Sequence, residues 1–196
     1  MMQLSLLIIL FISLNLAACS AGSVSGPAIS LTISNQTPAD ICEVYASSQE
    51  SNEWGASLLP EGNSVSAGEE RAFQLPAGVY DILVLNCDGI SIFSAAQIAV
   101  NSSFQIGGAG WVPITVENAF NGEVCYLYIS NQGEGDWGVD QLGGVESILP
   151  GGVRIFYVPA GSYRLRAEDC TRNPLKESGI FDSGAGLTWT VGNPLQ

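Results

Sequence analysis

The residues with the means to do chemistry are few, and they fall in a pattern. The chain has five cysteines, no histidine, 19 acids and six cations, for a formal net charge of −13. Trp54 and Trp137 each follow an acid, Glu53 and Asp136, and each precedes a glycine. An indole in such a loop is either a platform for a glycan or protein ligand, or a lid packed back on the body. Asp136 and Asp140, with Glu134, are the nearest approach to a calcium loop. The ligand spacing and downstream Glu of an EF-hand are missing, so the reading is no metal. Zinc lacks histidine, and the cysteines are better used as pairs, so no cofactor is expected.

Catalysis has little to stand on. Without histidine the commonest general base is gone, and Ser, Thr and Cys nucleophiles have no evident activator. The glycines sit in turns and linkers rather than in a phosphate loop. A carboxylate pair of the glycosidase kind is the remaining catalytic route, and the chain reads as a non-enzyme. Its acidity repels nucleic acid and anionic headgroups, which excludes nucleic acid as a partner.

The same residues occur twice. Cys42, Tyr45, Trp54-Gly55, Arg71, Phe73, Pro76-Ala77-Gly78, Tyr80 and Cys87 return as Cys125, Tyr128, Trp137-Gly138, Arg154, Phe156, Pro159-Ala160-Gly161, Tyr163 and Cys170. Each pair is offset by 83 positions (125 − 42 = 83), and residues 31–87 share 18 identities with 114–170 over 57 ungapped positions. This is a tandem repeat of one folding unit. Arg71 and Arg154 are the cations common to both copies, and each is expected to pair with the acid before the repeated Trp, Glu53 or Asp136. The expected division is 1–18 signal peptide, 19–28 flexible tether, 29–106 first repeat, 107–113 linker, 114–191 second repeat and 192–196 tail. The Gly-rich start of the linker lets the modules tilt unless Trp111 docks between them.

Four cysteines allow three pairings. The repeat favours Cys42 with Cys87 and Cys125 with Cys170, because each unit then closes itself. Strand alternation puts Tyr163, Leu165 and Ala167 on one face and Cys170 on the charged one. The bridge is therefore expected at the rim or a strand end, or beside a bulge.

The odd cysteine is Cys19. An apolar run from Leu4 to Leu16 ends in Leu16-Ala17-Ala18-Cys19, which resembles the lipobox of bacterial lipoproteins. The resemblance implies cleavage before Cys19, a diacylglyceryl thioether on its sulfur and acylation of the new amino terminus. Met1-Met2-Gln3 departs from the usual positively charged start, and an ordinary secretory peptide is the alternative. Export supplies the oxidising compartment that disulfides need.

Short runs of β-formers with turns every 8 to 12 residues read as an all-β chain of two tandem small β-sandwich domains. Pro76-Ala77-Gly78 is expected to close a hairpin, with Gly78 (and Gly161 in the second copy) supplying positive φ. Tyr80 and Tyr163 resemble the tyrosine corner of immunoglobulin-like sandwiches, and Leu75 to Tyr80 also resembles the hairpin of prealbumin-like domains. Between these two topologies the residues do not choose.

The mature chain as a whole resembles a family of uncharacterised bacterial lipoproteins with repeated Cys, Trp-Gly, Pro-Ala-Gly-x-Tyr, Cys modules. The resemblance carries no activity. The expectation is a monomer held on the cell membrane by its lipid and facing away from the cytoplasm. It would act as a non-catalytic binding or scaffold protein towards an envelope protein or polysaccharide. A calcium-dependent adhesion or sensing module, and an accessory domain of an envelope carbohydrate-active enzyme, are the alternatives.

Overall fold

The computed structural model describes residues 28–48, 51, 53–133, 135–143 and 146–192. The signal segment, Cys19 and nearly all of the expected tether lie outside them, as do Glu134 and the tail beyond Gly192. The described chain is all-β, two tandem small sandwiches. In the first, β1 (Ile29–Gln36) lies between β3 (Glu70–Leu75), antiparallel to it, and β6 (Ser102–Gly107), parallel to it. A second layer holds β2 (Ile41–Ser48), β4 (Tyr80–Asn86) and β5 (Ser91–Ile98), paired antiparallel in the order β2-β4-β5. Alternate residues of β1, Ile29, Leu31 and Ile33, point inward and meet Ile41, Val44, Ile82 and Val84 of the other layer.

The second sandwich repeats this plan. β7 (Trp111–Asn118) has β9 (Val153–Pro159) antiparallel on one side and β13 (Leu187–Val191) parallel on the other. Facing it, β10 (Ser162–Glu168) pairs with β8 (Tyr126–Asn131) along one edge. Along the other it pairs with β11 (Pro174–Glu177) and β12 (Phe181–Asp182), which together take the place of β5. Its core is centred on Ile114, Val116, Leu127, Leu165 and Trp189.

Strand pairing joins the two sandwiches. β5 runs parallel to β9 at Ser91 and Arg154, so the layers merge into one six-stranded sheet, β13-β7-β9-β5-β4-β2. Ile155 and Tyr157 of β9 pack on the first core. β6 ends at Gly107 and β7 begins at Trp111, which leaves only Gly108 to Gly110 between them.

The two disulfides are Cys42–Cys87 and Cys125–Cys170, within each repeat as the duplication implies. Each ties neighbouring strands of one layer at their ends, with Cα atoms 4.8 and 4.9 Å apart. Both ways out of the alternation problem are used. Cys87 and Cys170 lie just past the ends of β4 and β10, and the β2–β4 register slips at Cys42.

The Pro-Ala-Gly turns depart from expectation. They do not close hairpins: β3 and β4 belong to different layers, and so do β9 and β10. The tyrosine makes the crossing. The Tyr80 hydroxyl donates to the Pro76 carbonyl at 3.1 Å and that of Tyr163 to Pro159 at 2.7 Å, folding each ring back over its turn. Nor is Gly78 or Gly161 among the positive-φ glycines. Room is short only in the first repeat: a Cβ on Gly78 would stand 3.1 Å from the Tyr80 ring, whereas one on Gly161 would meet Tyr163 at an ordinary contact distance of 3.5 Å.

The inward row of β1 ends in a polar residue, Asn35, and that of β7 in Asn118, the same position of the repeat. Both are fully enclosed. The Asn35 amide donates to Ala39 O and Val65 O at 2.9 and 2.8 Å, and its Oδ1 accepts from Thr37 N at 3.0 Å. Asn118 donates to Gly122 O and Ile148 O at 2.9 and 2.7 Å and accepts from Phe120 N at 2.9 Å. One amide thus satisfies the backbone of a turn that water cannot reach. Replacing Asn118 with Ala should cost about 2–3 kcal/mol in urea unfolding, since buried donors and acceptors lose their partner at once.

Candidate functional site

The Trp-Gly loops are held by their own backbone. Ser47 Oγ donates to Glu53 O at 2.7 Å, and its counterpart Ser130 donates to Trp137 O at 2.6 Å. Trp54 is half-buried against Tyr45, with ring centroids 6.5 Å apart. Trp137 is half-buried beneath Arg164, whose guanidinium lies 4.3 Å from the ring centroid and donates to Asp136 O at 2.5 Å. Arg166 approaches the same ring at 5.6 Å. Each indole thus has one side taken by the protein itself.

The expected arginine–acid pairs do not form. Arg154 pairs with Glu146, at 3.2 Å, rather than with Asp136, and no ion pair joins Arg71 to Glu53. Sequence distance misled here: the loop acid nearest the repeated Trp is exposed, whereas Glu146 is carried under β9 by the strand-like bridge between Val124 and Ile148. Arg154 is buried, lies 4.5 Å over the Phe156 ring, and donates to Ile155 O at 2.6 Å. Burial pulls its pKa down and Glu146 pulls it back up.

Asp136 and Asp140 share a loop, but both turn to backbone donors. Asp136 Oδ1 accepts from Gly138 N at 3.0 Å. Asp140 Oδ1 accepts from Leu127 N at 2.9 Å and from Leu142 N at 3.1 Å. The equivalent residue in the first repeat is Ser57, whose Oγ accepts from Val44 N and Leu59 N, both at 3.1 Å. A role that a serine fills equally well is a loop anchor. Among the described residues the one group of three potential ligands is Glu123, Cys125 and Cys170, and its two sulfurs are joined as a disulfide.

Burial pushes the Asp140 carboxyl above the ordinary value, against the pull of its two N–H donors. A raised folded pKa means that ionisation costs the folded state. This penalty is full at neutral pH and is relieved as pH falls through the folded value. Asp140→Ser should keep stability within about 1 kcal/mol, while Asp140→Ala should cost about 2 kcal/mol by orphaning two N–H groups. Thermal melting of the two variants side by side checks this.

Every cation of the second repeat is laid on an aromatic ring. Besides the pairs above, Arg172 lies 4.0 Å over Tyr126 and Lys176 lies 5.4 Å from Trp189. Arg166 also bonds Glu168 at 2.7 Å and Glu177 at 3.2 Å, and Glu168 is nearly enclosed. Tyr128 lies between Glu168 and Arg172, and burial, more than either neighbour, raises its pKa. Ring contacts hold these cations in place, Arg154 and Arg166 have carboxylate partners as well, and the excess of acids over the whole chain sets the sign of the outward field.

One cleft that the sequence does not point to brings both repeats together. It is a cleft of roughly 200 Å³ at the junction of the two sandwiches, lined by Ile92, Ser94, Gln105, Trp111, Gln141 and Arg154. Trp111 stands on its rim, 38% exposed, beside residues of both sandwiches. Gln105 Nε2 donates to Gly107 O at 3.0 Å and Gln141 Nε2 to Val139 O at 3.1 Å, so both amides are held in place. The cleft exists because β5 and β9 meet, and only the relative placing of the two repeats creates it.

No family model and no curated protein matches the chain. Solved structures give distant likenesses. The Bacillus anthracis TIE protein matches at 14% identity and a TM-score of 0.32, over 85% of this chain and 34% of that one. A leucine-rich repeat protein from Bacteroides thetaiotaomicron matches at 11% identity and 0.30, over 87% and 26%. A streptococcal ancillary pilin matches at 10% identity and 0.28, over 85% and 68%. The chain thus spans about a third or less of the first two. At these scores the fold of this protein rests on its own strand pairing.

Proposed function

We propose that the chain is a lipoprotein, anchored through Cys19 to the cell membrane and facing away from the cytoplasm. It acts there as a non-catalytic binding scaffold. The observation that carries this reading is the strand contact between β5 and β9, which joins the two sandwiches in one sheet and leaves a cleft at their seam. A half-exposed indole flanked by two fixed carboxamides suits the apolar face and hydroxyl edge of a sugar ring. The preferred partner is therefore an envelope polysaccharide, with an envelope protein as the alternative occupant.

Co-sedimentation with isolated envelope polysaccharide tests the cleft. Wild type should be retained and Trp111→Ala should lose roughly tenfold or more in affinity, as a central aromatic contact does. Equal retention of both proteins would reject the cleft as the binding site. The anchor is tested separately by the mass of acyl chains on Cys19, and by release of Cys19→Ser to the soluble fraction.

A further inference from the structure

Beyond ligand binding, the seam between the repeats is a pattern that can be used again between molecules. Within the chain, the outer edge of β9 receives β5 of the preceding repeat. The counterpart of β9 in the first repeat is β3, and no described strand pairs with its outer edge. The counterpart of β5 in the second repeat is β11 with β12, and this segment too ends its layer unpaired. Among the described residues, one chain thus carries an unpaired acceptor edge at one end and an unpaired donor edge at the other. Such a contact joins different surfaces and propagates head to tail.

The substitutions between the two copies carry the argument further. At the internal seam, Arg154 finds its acid in Glu146 and meets the hydroxyl of Ser94 on β5 at 3.5 Å. Shifting by 83 positions places Arg71 for Arg154, Asn63 for Glu146 and Glu177 for Ser94. The acid has been lost from the acceptor side and gained on the donor side. An edge-to-edge contact between copies would again hold one arginine against one glutamate, this time from two molecules. Arg71 is half-exposed, and Glu177, whose carboxylate lies 3.2 Å from Arg166 within its own sheet, is still 49% exposed, so Arg71 of a second copy would share that carboxylate with Arg166.

We propose that a second copy of this chain docks its β11 edge on the β3 edge of the first, parallel as β5 is to β9, with Glu177 facing Arg71. This departs from the monomer expected of the sequence. The contact is weaker than the internal one. Ile155 and Tyr157, which close the internal seam on the first core, are replaced at the free edge by Ala72 and Gln74. Pro174 at the start of β11 further blunts the donor. The result is a reversible, concentration-dependent association.

Analytical ultracentrifugation of the purified protein, both disulfides intact, tests this over a concentration series. The weight-average mass should climb without levelling at a dimer. Arg71→Glu and Glu177→Arg should each lower the association constant about tenfold or more, the effect of opposing like charges across a contact. Their equimolar mixture should recover it, because each variant then offers the edge the other needs. Arg71→Gln and Glu177→Gln, which keep shape and drop charge, should weaken it less and in the same direction. A mass fixed at one chain across the series would overturn the proposal. So would variants that associate like wild type, or a mixture no better than its parts.

Discussion

Arg154→Ala lowers the unfolding free energy by about 3–5 kcal/mol, whereas Arg71→Ala changes it by about 1 kcal/mol or less. The two arginines occupy one position of the repeat, so the difference is entirely one of surroundings. Arg154 is 3% exposed, and its partner Glu146 has only 9% of its side chain exposed. Removing the guanidinium strands a carboxylate in the seam, and also takes away the donor to Ile155 O and the cover of the Phe156 ring. The size of the effect is the cost of the orphaned charge rather than the worth of the pair. Arg154→Met combined with Glu146→Leu should therefore recover most of the loss. Urea unfolding of the single and double variants measures both statements, and a double variant as weak as Arg154→Ala would show that the pair itself holds the seam.

Opening one disulfide, by Cys125→Ser with Cys170→Ser, should remove about 4 kcal/mol on the chain-entropy model. Each bridge closes 45 positions of chain and ties two strands that are already neighbours. Its contribution therefore lies mainly in what it denies the unfolded chain. Because the two sandwiches share a sheet, the loss should fall on one joint melting transition rather than on half of the signal. At roughly 2–4 °C per kcal/mol for a unit of this size, the midpoint should drop by about 8–16 °C. Calorimetry of the variant decides this. Two separate transitions, only one of them moved, would show that the seam does not couple the repeats.

The sequence was most readable where one residue type answers to one local need. The 83-residue offset exposed the duplication, and the duplication selected the disulfides, whose strand-end placing followed from the parity of Cys170. Periodicity gave the strands but not their partners. Pro76-Ala77-Gly78 has the composition of a hairpin, yet it is a crossing between layers, over which the Tyr80 hydroxyl reaches back to Pro76. Asn35 and Asn118 are among the 18 identities, but a buried amide looks like any polar residue until its strand has a face. The pairing of Arg154 failed for a related reason. Its partner is chosen by how β9 sits over a distant loop, and nothing within a few residues of the Trp records that. The junction cleft was the least readable part, since its lining comes from both repeats and depends on a contact absent from either alone.

The order of strands decides how this molecule takes a load. In each sandwich the first and last strands are parallel neighbours, β1 with β6 and β7 with β13. Tension drawn through the two ends of the chain pulls such a pair in opposite directions along a common axis. Their hydrogen bonds are then strained side by side rather than peeled one after another, and the protein resists as a clamp does, not as a zip.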